Sequence, residues 1–234
     1  MESWSVGFDG DEDVERHSGM RDAPAAGPAL HLTLVSDYIC PWCYVGLARL
    51  EKLRDEFDVT LVACAFELRP GIPPEGIARD EYSKGRTYPP GYIDNLIQTA
   101  RDAGIDMKRP PLIPNTRLAH QATEFASKNG GDLWAVHCAL FHAYFEAEED
   151  IGDTDVVVRA CAEAGVDGDA LRAALDDGRY AEEVQRQMTW SRTNGISGVP
   201  TTIFNGRFAV VGAQDFDLFR DVAGRIARGD VAAT

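Results

Sequence analysis

Ser36-Asp37-Tyr38-Ile39-Cys40-Pro41-Trp42-Cys43-Tyr44-Val45-Gly46 joins a short apolar run to an amphipathic one. Upstream, Leu30 to Val35 reads as a buried strand. Downstream, Val45, Leu50, Leu53 and Phe57 recur at helical spacing and predict a helix from Pro41 to Phe57. Cys40 then stands at the helix N-terminus, where free backbone N–H groups and the positive end of the macrodipole favour negative charge. A thiol so placed is activated as thiolate, the nucleophilic form. Cys43 lies about one turn further in, near enough to close a small disulfide or to resolve a mixed one. The pair is a layout for thiol–disulfide chemistry.

A zinc half-site is the first competing reading. Structural zinc needs four ligands, and the sequence holds no second Cys-x-x-Cys and no His-x3-5-His within finger distance of the Cys40–Cys43 pair. His137 and His142 have a suitable interval, but five helical residues turn about 500° and leave them on different faces. No metal is therefore expected. Cys64, Cys138 and Cys161 lie in apolar strand-like or helical runs and read as buried small hydrophobes. An odd, sparse set of five cysteines is no disulfide framework.

The 234 residues are 44% hydrophobic, enough for one large domain or one domain with an insertion. The net charge of −15 argues against non-specific nucleic-acid binding, which needs a basic footprint. No apolar stretch is long enough to cross a bilayer. Residues 1–29 lack the basic start and apolar core of a signal peptide and read as a disordered, acidic leader. A cytoplasmic location follows as the expectation.

Strand 31–35, helix 41–57 and strand 59–66 form a βαβ unit whose two strands should run parallel. Arg69 to Pro90, with five prolines, reads as a long irregular connection. From Pro90 to Asn194 the pattern is almost wholly helical: six candidate helices, opened by a Gly break or by Asn115 or Thr116, Asp132, Thr154, and Asp167 or Asp169. Trp134, Phe141, Tyr144 and Phe145 read as core, or as the wall of a groove, on one of them. Thr201–Phe204 and Phe208–Val211 flank Asn205-Gly206, a hairpin signal, and a helix from Asp215 to Arg228 closes the chain.

A βαβ unit with Cys-x-x-Cys at its first helix, a helical block and a distal ββα unit resembles the thioredoxin fold in its DsbA-like branch. Three stretches carry the likeness: the opening one, Asn115-Thr116-Arg117-Leu118-Ala119-His120, and Gly195-Ile196-Ser197-Gly198-Val199-Pro200-Thr201. Together they look like the FrnE-like group of DsbA-family oxidoreductases. The fold class so implied is α/β, a thioredoxin fold with a large helical insertion. It divides as 30–68 plus 195–234 for the thioredoxin-like part and 69–194 for the insertion. The resemblance also implies a cis bond at Val199-Pro200, facing the cysteines, with the Val199 backbone free to pair with an extended substrate.

Site expectations follow residue by residue. Cys40 and Cys43 are the catalytic pair. Pro41 and Trp42 tune the redox potential and present apolar surface, with simple packing as the alternative. Asp37 is a redox-tuning acid that moves protons at Cys43, or a plain strand-end residue. Val199, Pro200, Trp42, His120 and Asn115 are substrate-binding candidates, although His120 also fits a structural histidine and Asn115 a helix cap. The expected activity is thiol–disulfide exchange on protein, peptide or small-molecule disulfides, with no cofactor and with glutathione or a thioredoxin-type partner as electron donor. In a reducing cytoplasm reduction is the favoured direction. The alternatives are a glutathione-dependent isomerase or transferase of the 2-hydroxychromene-2-carboxylate isomerase or kappa-class type, where the resembled enzymes carry serine at the position of Cys40, and a non-catalytic peptide-binding module.

Overall fold

The computed structural model describes residues 29–230; the expectation for the acidic leader falls outside them, except that Ala29 opens the first strand. A four-stranded sheet has the order β2-β1-β5-β6. Strand β1 (Ala29–Ser36) pairs in parallel with β2 (Asp58–Ala65) and antiparallel with β5 (Thr201–Phe204), which pairs antiparallel with β6 (Phe208–Val211). Side chains alternate across β1. Leu30, Leu32 and Leu34 join the main core, which also holds Phe204 and Phe219. Val35 faces the other way, with Cys64, Phe66 and Trp190.

Helix α1 (Pro41–Glu51) carries the cysteine pair and is shorter than the periodicity predicts, tightening into a 3-10 turn over Lys52–Asp55. The turn still directs Leu53 and Phe57 into the core, so the apolar spacing outlasts the α-helix. The hairpin between β5 and β6 forms as its sequence predicts. Asn205 and Gly206 both adopt positive φ, 47° and 65°, which Asn and Gly tolerate. Asn205 also bonds across to β1, its amide donating to the His31 carbonyl and its Oδ1 accepting from the His31 amide, both at 2.7 Å.

Between β2 and β5 the connection is less irregular than expected. Residues 69–90 include β3 (Ile77–Ala78) and the short α2 (Arg79–Ser83). After α3 (Tyr92–Asp102), β4 (Leu112–Ile113) returns to pair antiparallel with β3. Two-residue strands leave no periodicity to read, and their pairing is non-local. Then follow α4 (Arg117–Lys128), α5 (Leu133–Phe145), α6 (Thr154–Glu163), α7 (Gly168–Asp176) and α8 (Ala181–Thr193), with α9 (Phe216–Ala227) after the hairpin. Asp132 and Asp167 cap α5 and α7 as expected, their carboxylates accepting first-turn amides. Helix α6 is capped by Asp153 rather than Thr154, because the carboxylate reaches the amides of Asp155 and Val156.

The inserted helices and the sheet share one core. Phe141 of α5 stacks on Tyr44 of α1 at 5.1 Å between ring centroids and meets Tyr38 at 4.9 Å. Arg117 ties α4 to the chain just after β2 through a two-pronged pair with Glu67, Nε–Oε1 2.8 Å and Nη2–Oε2 3.1 Å. Among the described residues no helix is long and apolar enough to cross a membrane.

Candidate active site

Cys40 is the N-cap of α1 and Pro41 its first residue, so the thiol sits where the helix leaves its amides free. The turn before it is closed by the Cys40 amide donating to the Asp37 carbonyl at 3.0 Å. One turn in, the Cys43 amide donates to the Cys40 carbonyl at 3.0 Å. All five cysteines are free thiols. Cys43 is fully enclosed, and burial, reinforced by the Cys40 sulfur beside it, pushes its pKa well above the ordinary thiol value.

Across the site, Val199-Pro200 is a cis peptide. The Cys40 thiol donates to the Val199 carbonyl at a sulfur–oxygen distance of 3.6 Å, joining residues 159 positions apart. Pro200 packs on α1 at Gly46. A Cβ on Gly46 would lie 3.1 Å from Pro200 Cγ, so the close approach of loop and helix favours glycine there. The Pro200 carbonyl is held by the Gly212 amide at 2.7 Å, and the Thr201 hydroxyl donates to the Gly198 carbonyl at 2.8 Å. These bonds fix the loop from the β5–β6 side.

Cys40, Trp42 and Val199 line a cavity of about 480 Å³ whose far wall comes from residues 68–113 and Phe145. The Trp42 indole donates to the Tyr92 hydroxyl at 2.8 Å, linking α1 to α3. Trp42 therefore forms part of the cavity wall as well as packing. Tyr88 stacks on Tyr92 at 5.1 Å and extends the aromatic side.

A model of the DSBA-like thioredoxin domain matches residues 31–223. The chain belongs to that family. This DSBA-like chain is 31% identical over 195 residues to the uncharacterized protein YwbO of Bacillus subtilis, covering 81% of the chain and 94% of YwbO. It superposes on a probable DsbA oxidoreductase, SCO1869 of Streptomyces coelicolor, with TM-score 0.76 and 28% identity, covering 88% of this chain and 92% of that one. A 2-hydroxychromene-2-carboxylate isomerase shares the fold at TM-score 0.66 and 19% identity, covering 86% and 97%.

Three substrate-binding candidates do not line the cavity of this DSBA-like chain: Pro200, which packs on Gly46, and Asn115 and His120. Asn115 spends its side chain locally: Nδ2 donates to the Ile72 carbonyl at 2.6 Å and Oδ1 accepts from the Arg117 amide at 3.0 Å. It orders the start of α4 and does not line the cavity. His120 is buried behind the site, its Nε2 3.7 Å from Asp37 Oδ1 and without a hydrogen-bond partner. Asp37 is also buried. Its carboxylate accepts from the Leu68 amide at 2.7 Å and the Ile39 amide at 3.4 Å, holding the chain on both sides of the cysteine turn. It stands directly after β1, enclosed rather than exposed at the strand end.

Tyr38 and His137 were given no role by sequence. The Tyr38 hydroxyl contacts Thr123 Oγ1 and, at 2.9 Å, His137 Nδ1. Thr123 donates its own proton to the Ala119 carbonyl, so Tyr38 donates to Thr123 and His137 Nδ1–H donates to Tyr38. Burial, with His120 nearby, pushes the His137 pKa down to about 3 and keeps the ring neutral. Tyr38 precedes the cysteines by two residues, which is a signal of place, but its partners are 85 and 99 residues away. Only folding shows them.

Proposed function

We propose that this protein is a thiol–disulfide oxidoreductase of the FrnE-like group, with Cys40 as nucleophile and Cys43 as resolving thiol. One observation carries the reading: Cys40 caps α1, opens on the cavity and meets the backbone before Pro200, while Cys43 is enclosed behind it. Attack from the cavity side followed by internal resolution needs that asymmetry.

The Cys40 thiolate attacks one sulfur of a substrate disulfide. A Cys40–substrate disulfide forms, the substrate S–S bond breaks, and the released thiolate takes a proton. Cys43 then loses its proton and attacks the Cys40 sulfur, forming Cys40–Cys43 and releasing the second substrate thiol. Two electrons pass to the substrate, and a dithiol or two monothiols restore the pair. Because burial holds Cys43 protonated, its attack needs a base, and the buried carboxylate of Asp37 is the group we assign. Val199 and Pro200 shape the side on which the substrate sulfur lies, and Pro41 and Trp42 set the surroundings of the pair.

In this reading the protein works in the cytoplasm, reduces disulfides of proteins, peptides or small molecules, and draws electrons from glutathione or a thioredoxin-type reductant. No cofactor enters the scheme. The isomerase alternative has only a shared fold in its support, and the cysteine pair favours redox chemistry. The test is trapping. Cys43→Ser is expected to accumulate a mixed disulfide at Cys40, and Cys40→Ser to abolish exchange. Retained disulfide exchange in Cys40→Ser would overturn the assignment, and glutathione-dependent isomerisation surviving Cys43→Ser would replace it.

A further inference from the structure

Five cations line the cavity beside Cys40, and no carboxylate answers them. Arg69, Arg79, Arg86, Lys108 and Arg109 form much of the wall, which includes no Asp or Glu. None of the five makes an ion pair among the described residues, where ten other arginines and lysines do. Partners are not scarce, since acidic residues outnumber basic ones 38 to 23. Six other cations among the described residues, Lys52, Lys84, Arg101, Arg192, Arg207 and Arg225, also lack an ion pair. What marks this recess is the convergence of five such charges on a lining without a carboxylate.

The cations that are fixed are fixed by neutral groups. Arg79 donates to the Pro110 carbonyl and, at 3.2 Å, to the Tyr144 hydroxyl. Arg69 donates to the Tyr82 hydroxyl at 3.1 Å. The Arg86 guanidinium lies 4.4 Å over the Tyr82 ring. Lys108 donates to the Glu146 carbonyl at 2.6 Å. Neutral partners orient a charge without cancelling it, and a recess focuses the resulting field. A volume of about 480 Å³ is that of a small-molecule site.

We propose that the disulfide exchanged at Cys40 belongs to a small molecule bearing several negative groups, carboxylates or phosphates, which rest on this cationic wall while a sulfur meets Cys40. The proposal rests on the oxidoreductase reading and adds the substrate class. The redox balance is unchanged: the pair gives two electrons, one substrate S–S bond becomes two thiols, and Cys40–Cys43 becomes the disulfide.

Single-turnover oxidation of the fully reduced chain tests it without an added reductant. Four disulfides are compared: oxidised coenzyme A (phosphates), glutathione disulfide (carboxylates), bis(2-hydroxyethyl) disulfide (neutral) and cystamine (cationic). Each rate is divided by that of a simple free thiol with the same disulfide, which cancels leaving-group differences. At low salt at least one anionic disulfide is expected to exceed both others tenfold or more, and 0.5 M KCl to remove most of the advantage. The faster anion names the recognised group. Arg86→Gln with Arg109→Gln, both exposed and unpaired, should slow the anions at least fivefold and leave the neutral disulfide unchanged. Equal normalised rates for all four, or an equal loss for all four in the double variant, would overturn the proposal. If no disulfide oxidises the pair, the oxidoreductase reading fails instead. The anion site then stands only if coenzyme A disulfide shifts tryptophan fluorescence in a salt-sensitive way that the double variant loses, and falls without such a shift.

Discussion

Cys40 and Cys43 sit three residues apart but at different depths. Cys40 lines the cavity, whereas Cys43 has no exposed surface and a pKa raised by burial. Burial likewise pushes Cys64 and Cys138 up to about 11 and Cys161 up to about 12. Iodoacetamide at pH 6 to 7 is therefore expected to modify Cys40 at least tenfold faster than any other cysteine. Mapping the label by mass spectrometry decides it, and equal labelling of Cys40 and Cys43 would overturn the assignment of their roles. His137 gives a second prediction at this scale. Its folded pKa of about 3 lies below the ordinary 6.5, so the unfolded chain binds the proton more readily. Stability is then full above about pH 6.5 and falls as the pH drops toward 3, by about 2 kcal/mol between pH 7 and 5 for this one group. Urea titrations at the two pH values should show that loss in the wild type and less of it in His137→Asn. An identical pH dependence in both would remove His137 from the account.

Helix α1 and the Pro200 loop form one unit, with Gly46 as the point where they touch. Gly46→Val places branched carbon where Pro200 Cγ already stands 3.1 Å from a would-be Cβ. Overpacking of this kind costs about 1–3 kcal/mol. The variant is expected to unfold at lower urea and to react more slowly at Cys40, since the loop must move off the helix. An unchanged midpoint together with an unchanged rate would show that the contact does no positioning. Much of this unit could be read from the chain. Periodicity located the strand and the helix, Cys40-Pro41 marked the helix start, and Asn205-Gly206 marked the hairpin. What escaped were two-residue strands, too short for any period, and the choice of Asp153 over Thr154 as a cap, which turns on a single carboxylate's reach.

At the level of the whole molecule the insertion supplies function more than bulk. The cavity wall opposite Cys40 is built from residues 68–113, the stretch whose prolines hid its order. Its arginines and tyrosines were visible in the sequence as types. Their convergence was not, because it depends on β3 meeting β4 and on α3 meeting Trp42. His120 fits the structural alternative. The motif that holds it resembles a functional stretch, yet the fold turns its ring inward against Asp37. Local pattern locates an element, and only packing decides which of its faces meets the substrate.

The bond from Cys40 to the Val199 carbonyl spans 159 residues, and that distance is also a delay. At a synthesis speed of about 5–20 residues per second, roughly 8 to 30 seconds separate the emergence of the two ends. For that interval Cys40 has emerged without the carbonyl that its thiol meets in the finished fold, and β1 still lacks β5 at its side. Pairing of β5 with β1 is what brings that carbonyl back to the cysteine, so the site closes only when a strand made much later finds its neighbour.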